Sequence, residues 1–484
     1  MSNSSPHTKL PRAMLAVALL GLLAWVAHFT GPEDLHDDDQ LKPAAYVLDI
    51  VRNGHWIVQT DFDGGIASKP PLYQWLAALI AVPRGVVDEW ALYVPSGLGI
   101  IGAALIACIV AGRRFGADAG LCAGGAVILN TLAAKHLCLA RTDALFTLCV
   151  AATAWAALDA WERGGTRRWT LFWLLAAAAT MTKGPLGLVL GAGGLIAAIS
   201  ERSRTDRPAL KGSHIPGVLC FLAICGGWFW LAVATGGQPV IDKLIGRELV
   251  GHAVAAESGK GLLSRPYQPL LYFLARFLPW SPIALLSLVR VWRKPAAAGP
   301  DRRLERFCFW WVVLGLVVFS IPGHQRADLL LPLLPGAAVL VGRALAERTR
   351  PLGHARRAAI AWSVAVIGIA GIGWWNNVGR LKDLDVIQSH EAREAARIIA
   401  AAGAPPEFTA DAADLQYYFG VKKANRSIEE CSELGARGGP YVGITRRGSE
   451  LRLELQRRWG RSEEIVGIQP VRGTTVSAFL IGAQ

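Results

Sequence analysis

Apolar runs of about 20 residues recur along this 484-residue chain, and the short loops between them alternate between arginine-rich and arginine-poor. A run of that length is what an α-helix needs to cross the hydrocarbon core of a bilayer. Lys and Arg in short loops stay on the cytoplasmic side, so the alternation orients every run. A content of 52% hydrophobic residues and a mean hydropathy of +0.34 agree with an all-α polytopic membrane protein. The net charge of +13 sits mainly in those loops, where it sets orientation and meets anionic lipid. No basic helix with interleaved aromatics points to nucleic acid.

Apolar helices are predicted at about 12–30, 91–112, 118–134, 143–161, 169–182, 185–200, 215–235, 267–289, 306–321, 328–346 and 358–376. The first run has no small-residue cleavage site and reads as a helix, with Lys9 and Arg12 holding the N-terminus in the cytoplasm. The loops then assigned to the cytoplasm hold Arg113 and Arg114; Arg163, Arg167 and Arg168; Arg202, Arg204, Arg207 and Lys211; Arg290, Arg293, Lys294, Arg302 and Arg303; and Arg343, Arg348, Arg350, Arg356 and Arg357. The segment 70–82 is too short to span, and counting it would put Arg113 and Arg114 outside. It reads as a helix at the outer interface, with Tyr73 and Trp75 at headgroup level. The segments 169–182 and 185–200 read as a hairpin whose tip, around Lys183, approaches the outer face; the alternative, a single long cytoplasmic helix pair, would invert everything downstream.

An odd count of about 11 spans, within a range of about 11–13, leaves the C-terminus outside. The expected organisation is a transmembrane domain over 1–380, with a long outer loop at 31–90, and a small soluble α/β domain over 381–484. In the latter, apolar runs near Phe408, 441–445 and 475–481 read as strands, and 389–402 and 451–459 as helices. Seven of the eight cysteines (Cys108, Cys122, Cys138, Cys149, Cys220, Cys225 and Cys308) lie in apolar stretches and Cys431 stands alone, so neither a disulfide frame nor a zinc site is indicated.

On the outer side of this layout fall Asp39, Lys69, Arg141, Asp143, Lys183, Glu248, Arg265 and Arg326. The first outer loop has Asp38 beside Asp39, and an acidic run next to a membrane helix needs water, a metal or a partner. Each residue also has an ordinary structural role. The acidic run and Asp143 suit helix N-caps, Lys183 suits an interfacial snorkel, and Glu248 and His252, four apart, suit a solvated helix face. Between helices nine and ten, His324, Arg326 and Asp328 add another outer group. Taken jointly, acids and bases gathered on one face favour a site.

The ordered motifs DDQLK, GHWIV, SKPPLYQW, RTDALF, MTKGPLG, RPYQPLLYFLARFLPW and HQRADLLLPLLP resemble those of the GT-C membrane glycosyltransferases. They are most similar to the aminoarabinose lipid A transferases and the protein O-mannosyltransferase-like proteins grouped with them. The likeness covers roughly 10–350. It implies transfer of a sugar from a polyprenyl-phosphate carrier to an acceptor hydroxyl of lipid A, another glycolipid or a protein. Transfer would proceed with inversion, on the periplasmic side of the bacterial inner membrane. By position it implies that Asp39 and Asp143 are the family's two acids, with Lys42, Lys69 and Arg265 as its phosphate-binding bases. Gln40 and Ser68 stand where family members often carry Glu, which speaks against a divalent metal without excluding one; no cofactor is required by the sequence.

The chemistry suits these residue types. A leaving polyprenyl phosphate gains negative charge as the glycosidic bond breaks, and Lys69, Arg265 and Lys42 are placed to stabilise it. The acceptor hydroxyl must lose a proton, for which Asp39 is the natural base, with Asp143 orienting it or the acceptor. Two other classes stay open at this point. A transporter or flippase for a lipid-linked sugar would line a path to the midplane with ionisable groups. A noncatalytic assembly protein would use its C-terminal region for docking.

Overall fold

The computed structural model describes residues 6–30, 35, 38–201, 211–251, 263–323, 325–379, 389–419, 426–437, 440–460, 463–469 and 474–481. Its chain divides into two compact units. The first holds 1–26, 55–58 and 68–370; the second holds 27–54, 59–67 and 371–484. The C-terminal region thus shares its unit with two stretches of the first loop.

Every segment expected to be an apolar membrane helix is helical over most of its length. The early helices are α1 (Pro6–Phe29), α2 (Asp38–Asn53), α3 (Leu72–Ala81), α4 (Glu89–Phe115), α5 (Ala117–Ile128), α6 (Thr131–His136), α7 (Asp143–Arg163) and α8 (Thr166–Lys183). Several expected helices are broken. Asn130 ends α5 by donating to the carbonyls of Ala126 and Val127 and starts α6 by accepting from the amides of Leu132 and Ala133, so 118–134 is two helices. Similarly, 267–289 is split into Gln268–Arg276 and Ser281–Arg293. Six helices among the described residues have the length and apolar composition to cross a membrane: Lys9–Phe29, Glu89–Phe115, Asp143–Arg163, Ile215–Gly236, Ala327–Thr349 and His354–Val378.

Small residues let the helices of the first unit approach closely, as in membrane bundles. A Cβ on Gly99 of α4 would fall 2.5 Å from the Ala144 carbonyl carbon, so only glycine lets α4 lie against the first turn of α7. Trp155 of α7 meets Trp311 edge-on at 5.4 Å in the core beside helix Pro300–Ser320.

Several arginines expected to face the cytoplasmic lipid surface are instead used inside the protein. Near the C-terminal end of α7, Glu162 pairs with Arg114 and, at 3.4 Å, with Arg303. Glu201 takes Arg302 at 2.8 Å and Arg306 at 2.9 Å, and Glu305 takes Arg343 at 2.5 Å. The three acids are buried. A guanidinium is the cation best suited to this, because its planar fork satisfies a carboxylate with several donors at once.

In the second unit a four-stranded sheet runs in the order β1-β2-β4-β3, with β1 Pro406–Phe408, β2 Tyr441–Thr445, β3 Glu463–Ile468 and β4 Val476–Ile481. The β1–β2 pair is parallel and the others antiparallel. Helix Ser389–Ala401 covers Phe408, Val442 and Ile444 through Ala392, Ala395 and Ile399. A second apolar cluster joins Leu451 and Leu455 of helix Gly448–Trp459 to Ile428, Cys431 and Phe479. The sequence pattern does not announce β3, an edge strand that opens with Glu463 and Glu464 and carries a register shift.

Candidate active site

A turn of two glycines joins α7 to α8, with Gly164 at φ 68° and Gly165 at φ 101°, so the two helices run antiparallel. The start of α7 and the end of α8 therefore share one end of the bundle. Asp143 opens α7 where the helix dipole favours an acid, and Lys183 closes α8 where it favours a base. Their side chains meet: Lys183 Nζ donates to Asp143 Oδ1, and Lys183 also lies 5.8 Å over the Phe146 ring.

Around that pair the structure assembles a larger ionic group. Arg141 Nε sits 3.4 Å from Asp143 Oδ2, and its other arm donates to Asp328 Oδ2 at 3.0 Å. Lys135 Nζ donates to both Asp328 oxygens at 3.0 and 3.1 Å. Arg141 is thus shared between two carboxylates. Its loop is tied to α4 by the Ser96 hydroxyl, which donates to the Leu139 carbonyl at 2.6 Å. Asp143 is almost wholly buried at 5% side-chain exposure, whereas Lys135 is half exposed at 47%.

His136 completes the group. Its Nδ1 lies 2.9 Å from the Leu132 carbonyl and so carries the proton, leaving Nε2 directed at Asp328 from 3.8 Å. Burial pushes the imidazole pKa below its ordinary value, against the pull of Asp143 and Asp328. Sequence reasoning does not single out Lys135 or His136. They look like the tail of an apolar helix, and the one signal that they belong to a separate corner is Asn130 with its capping pattern.

The remaining candidates are distributed as follows. Asp39 and Lys42 lie on α2 in the second unit, Asp39 half-buried and Lys42 exposed. Asp38 begins that helix. Lys69 is half-buried just ahead of α3, Arg265 is exposed in the turn before Gln268–Arg276, and Arg326 is exposed before the 3-10 turn Ala327–Leu333 that carries Asp328. Glu248 lies in a π-helical stretch, Asp242–Gly251, and His252, its expected partner, lies with His324 outside the described residues. Among the described residues no three His, Cys, Asp or Glu side chains are grouped to hold a metal ion.

A family model described as dolichyl-phosphate-mannose-protein mannosyltransferase matches residues 68–230. Crystal structures of ArnT from Cupriavidus metallidurans, one bound to undecaprenyl phosphate and one in the apo state, both align with a TM-score of 0.72 at 16% identity. The alignments cover 97% and 99% of this chain and 98% and 100% of those chains. The chain has the fold of those structures, the GT-C fold. An uncharacterized protein of Aquifex aeolicus (strain VF5) is 24% identical over 303 residues, which is 62% of this chain and 66%, just under two thirds, of that protein. Within the GT-C fold, the span matched by the family model includes Lys69, Lys135, His136, Arg141, Asp143 and Lys183, while Asp328 lies beyond it.

Proposed function

We propose that this protein is an integral membrane glycosyltransferase that moves a sugar from a polyprenyl-phosphate carrier to an acceptor hydroxyl. The reaction is placed at the periplasmic face of the inner membrane, with lipid A, another glycolipid or a protein as acceptor. The observation that carries this reading is the buried Asp143 carboxylate, clasped by Lys183 and Arg141 at one end of a GT-C fold. Buried charges are costly, and in a membrane protein such a group raises a functional-site hypothesis, which the mixed lysine, histidine and arginine make-up of this one favours.

In this reading the acceptor oxygen bonds to the anomeric carbon from the face opposite the phosphate. Its proton passes to Asp39, and the electron pair of the broken C–O bond leaves with the polyprenyl phosphate. A positioned base of this kind contributes roughly 10²–10⁴ in rate. Lys69, Arg265 and Lys42 act on the leaving phosphate, and losing one such contact costs about 3 kcal/mol, or roughly a hundredfold. The Asp143–Lys183–Arg141 group holds its two cations in place within the first unit. No step requires a metal.

The test is transfer of labelled sugar from a polyprenyl-phosphate donor by purified protein in vesicles, comparing wild type with Asp39→Asn. The wild type is expected to turn over and the variant to lose about a hundredfold or more. Full turnover by Asp39→Asn removes the base assignment. Movement of the intact donor across the bilayer without transfer identifies a carrier.

A further inference from the structure

The second unit links the C-terminal sheet to the helix that bears Asp39 through a continuous set of contacts. Phe419 packs edge-on against Phe408 of β1 at 5.3 Å, which fixes the short helix Gln416–Phe419 to the sheet. Arg393 of helix Ser389–Ala401 lies 5.7 Å over the Tyr418 ring and steadies it from the other side. Tyr417 and Tyr418, edge-on to each other at 5.3 Å, then reach the first loop. Tyr417 meets Phe62 edge-on at 6.4 Å, and the Tyr418 hydroxyl accepts the Leu35 amide at 3.3 Å.

From Phe62 the connection runs back into α2. The loop carrying Phe62 is closed by an antiparallel bridge between Thr60 and Ile66, and Asp61 accepts the Gly65 amide at 2.6 Å. Asp49, 4% exposed, locks the loop to α2 by accepting the Thr60 amide at 2.9 Å and its hydroxyl at 3.2 Å. Leu35 lies only a few residues ahead of α2. The C-terminal part of α2, through Asp49, and Leu35 ahead of the helix are therefore held by contacts that trace to adjacent tyrosines of the C-terminal region.

We propose that Tyr417 and Tyr418 are positioning residues for Asp39, and that the C-terminal region serves to hold α2 in its working pose. This rests on the reading of Asp39 as the base. A misplacement of about 1 Å at a reacting group costs roughly a hundredfold. A structural prop for the C-terminal region alone would have no reason to spend two aromatic side chains on the first loop.

The test uses the full-length protein with Tyr417→Ala, Phe62→Ala, the double variant, Tyr417→Phe and Tyr418→Phe. Tyr417→Ala and Phe62→Ala are each expected to lower kcat about tenfold to a hundredfold with donor KM within about twofold, and the double variant to lose no more than either. Tyr417→Phe, which keeps the ring, is expected to restore kcat, and Tyr418→Phe, which removes only the hydroxyl, to lower it by less than Tyr417→Ala. Hydrogen exchange of the 38–53 amides supplies a readout independent of turnover: faster exchange in Tyr417→Ala supports the proposal. Unchanged protection there, or kcat per folded molecule equal to wild type, overturns it. A wild type inactive in transfer, with α2 still loosened by Tyr417→Ala, leaves the mechanical coupling standing and removes the base reading instead.

Discussion

Helix α7 carries an ionic group at each end, about 30 Å apart, and the two are built from different cations. Among the described residues, the ion pairs at the Glu162 end are made by arginines: Arg114 and Arg303 on Glu162, Arg302 and Arg306 on Glu201, Arg343 on Glu305. At the Asp143 end, lysine and histidine join a single arginine, and Lys135 reaches solvent. Guanidinium groups stay charged at any working pH and give rigid, many-pronged bonds, which suits a staple between helices. Ammonium and imidazole groups are compact and responsive to their surroundings, which suits a surface that must receive a phosphate and a developing charge. The same helix thus ends in two ionic groups of different make-up, one of which the proposed function reads as part of a site.

The largest effect expected from breaking this contrast is on turnover at the Asp143 end. Asp143→Asn leaves the shape nearly unchanged but removes the charge that holds Lys183 and Arg141. Transfer by the folded protein is expected to fall about 10³-fold, measured as kcat normalised to protein that elutes as a monodisperse species. Glu162→Gln at the other end is the matched control and is expected to keep kcat per folded molecule within about twofold. If Asp143→Asn lowers the melting temperature alone, the two ends are both fastenings and the distinction is lost.

A smaller, opposite effect is expected at the arginine-rich end. Glu201→Gln strips the carboxylate from two arginines whose side chains are 15% and 7% exposed. Removing one partner from a buried ionic group typically costs about 3–5 kcal/mol, because the remaining charge is left unpaired. Thermal unfolding in detergent is expected to shift down by several degrees, while donor KM and kcat of the surviving folded fraction hold. A selective loss of kcat without a change in melting would mean that the Glu201 group takes part in the reaction.

Part of this contrast is visible in the chain itself. Arg141, Asp143 and Lys183 stand in short polar breaks between apolar runs, so their placement at helix ends follows from counting runs. The two-glycine turn at 164–165 folds α8 back along α7 and lets Asp143 and Lys183 meet, and that is a matter of packing. Lys135 and His136 are hidden because a run that reads as one apolar helix is cut by Asn130. The arginines at 302, 303 and 343 are legible as basic loop residues, yet sequence alone does not show that Glu162, Glu201 and Glu305 meet them. The grouping of the first loop with the C-terminal region is equally silent in sequence, since the contacts of Phe62 and Leu35 with Tyr417 and Tyr418 join residues more than 350 positions apart.

The smallest expected effect concerns Asp411, a carboxylate with a purely structural job, and it calibrates what such an acid does when no chemistry is involved. Asp411 follows β1 and accepts the Arg446 amide at 2.7 Å and the Thr445 hydroxyl at 3.2 Å, with Thr409 on its other oxygen. Burial alone would raise its pKa, but the hydrogen bonds from Thr409, Arg446 and Thr445 outweigh it and hold the carboxyl below its usual value. A carboxyl whose folded pKa lies below the unfolded value near 3.9 stabilises the fold fully above that pH. The contribution drains away as pH falls toward the folded pKa. Pulse proteolysis with pepsin from pH 5 down to pH 2.5 is expected to show the C-terminal region of wild type opening increasingly below about pH 4. Asp411→Asn is expected to be more readily cut at pH 5 and to change less with acid, while sugar transfer near neutral pH stays close to wild type. Equal slopes for the two proteins would place the acid sensitivity elsewhere. Loss of transfer in Asp411→Asn at neutral pH, with the region still resistant to protease, would mean that an acid serving only the fold cannot be told from one serving the reaction by its surroundings, which is the premise on which the two ends of α7 are distinguished.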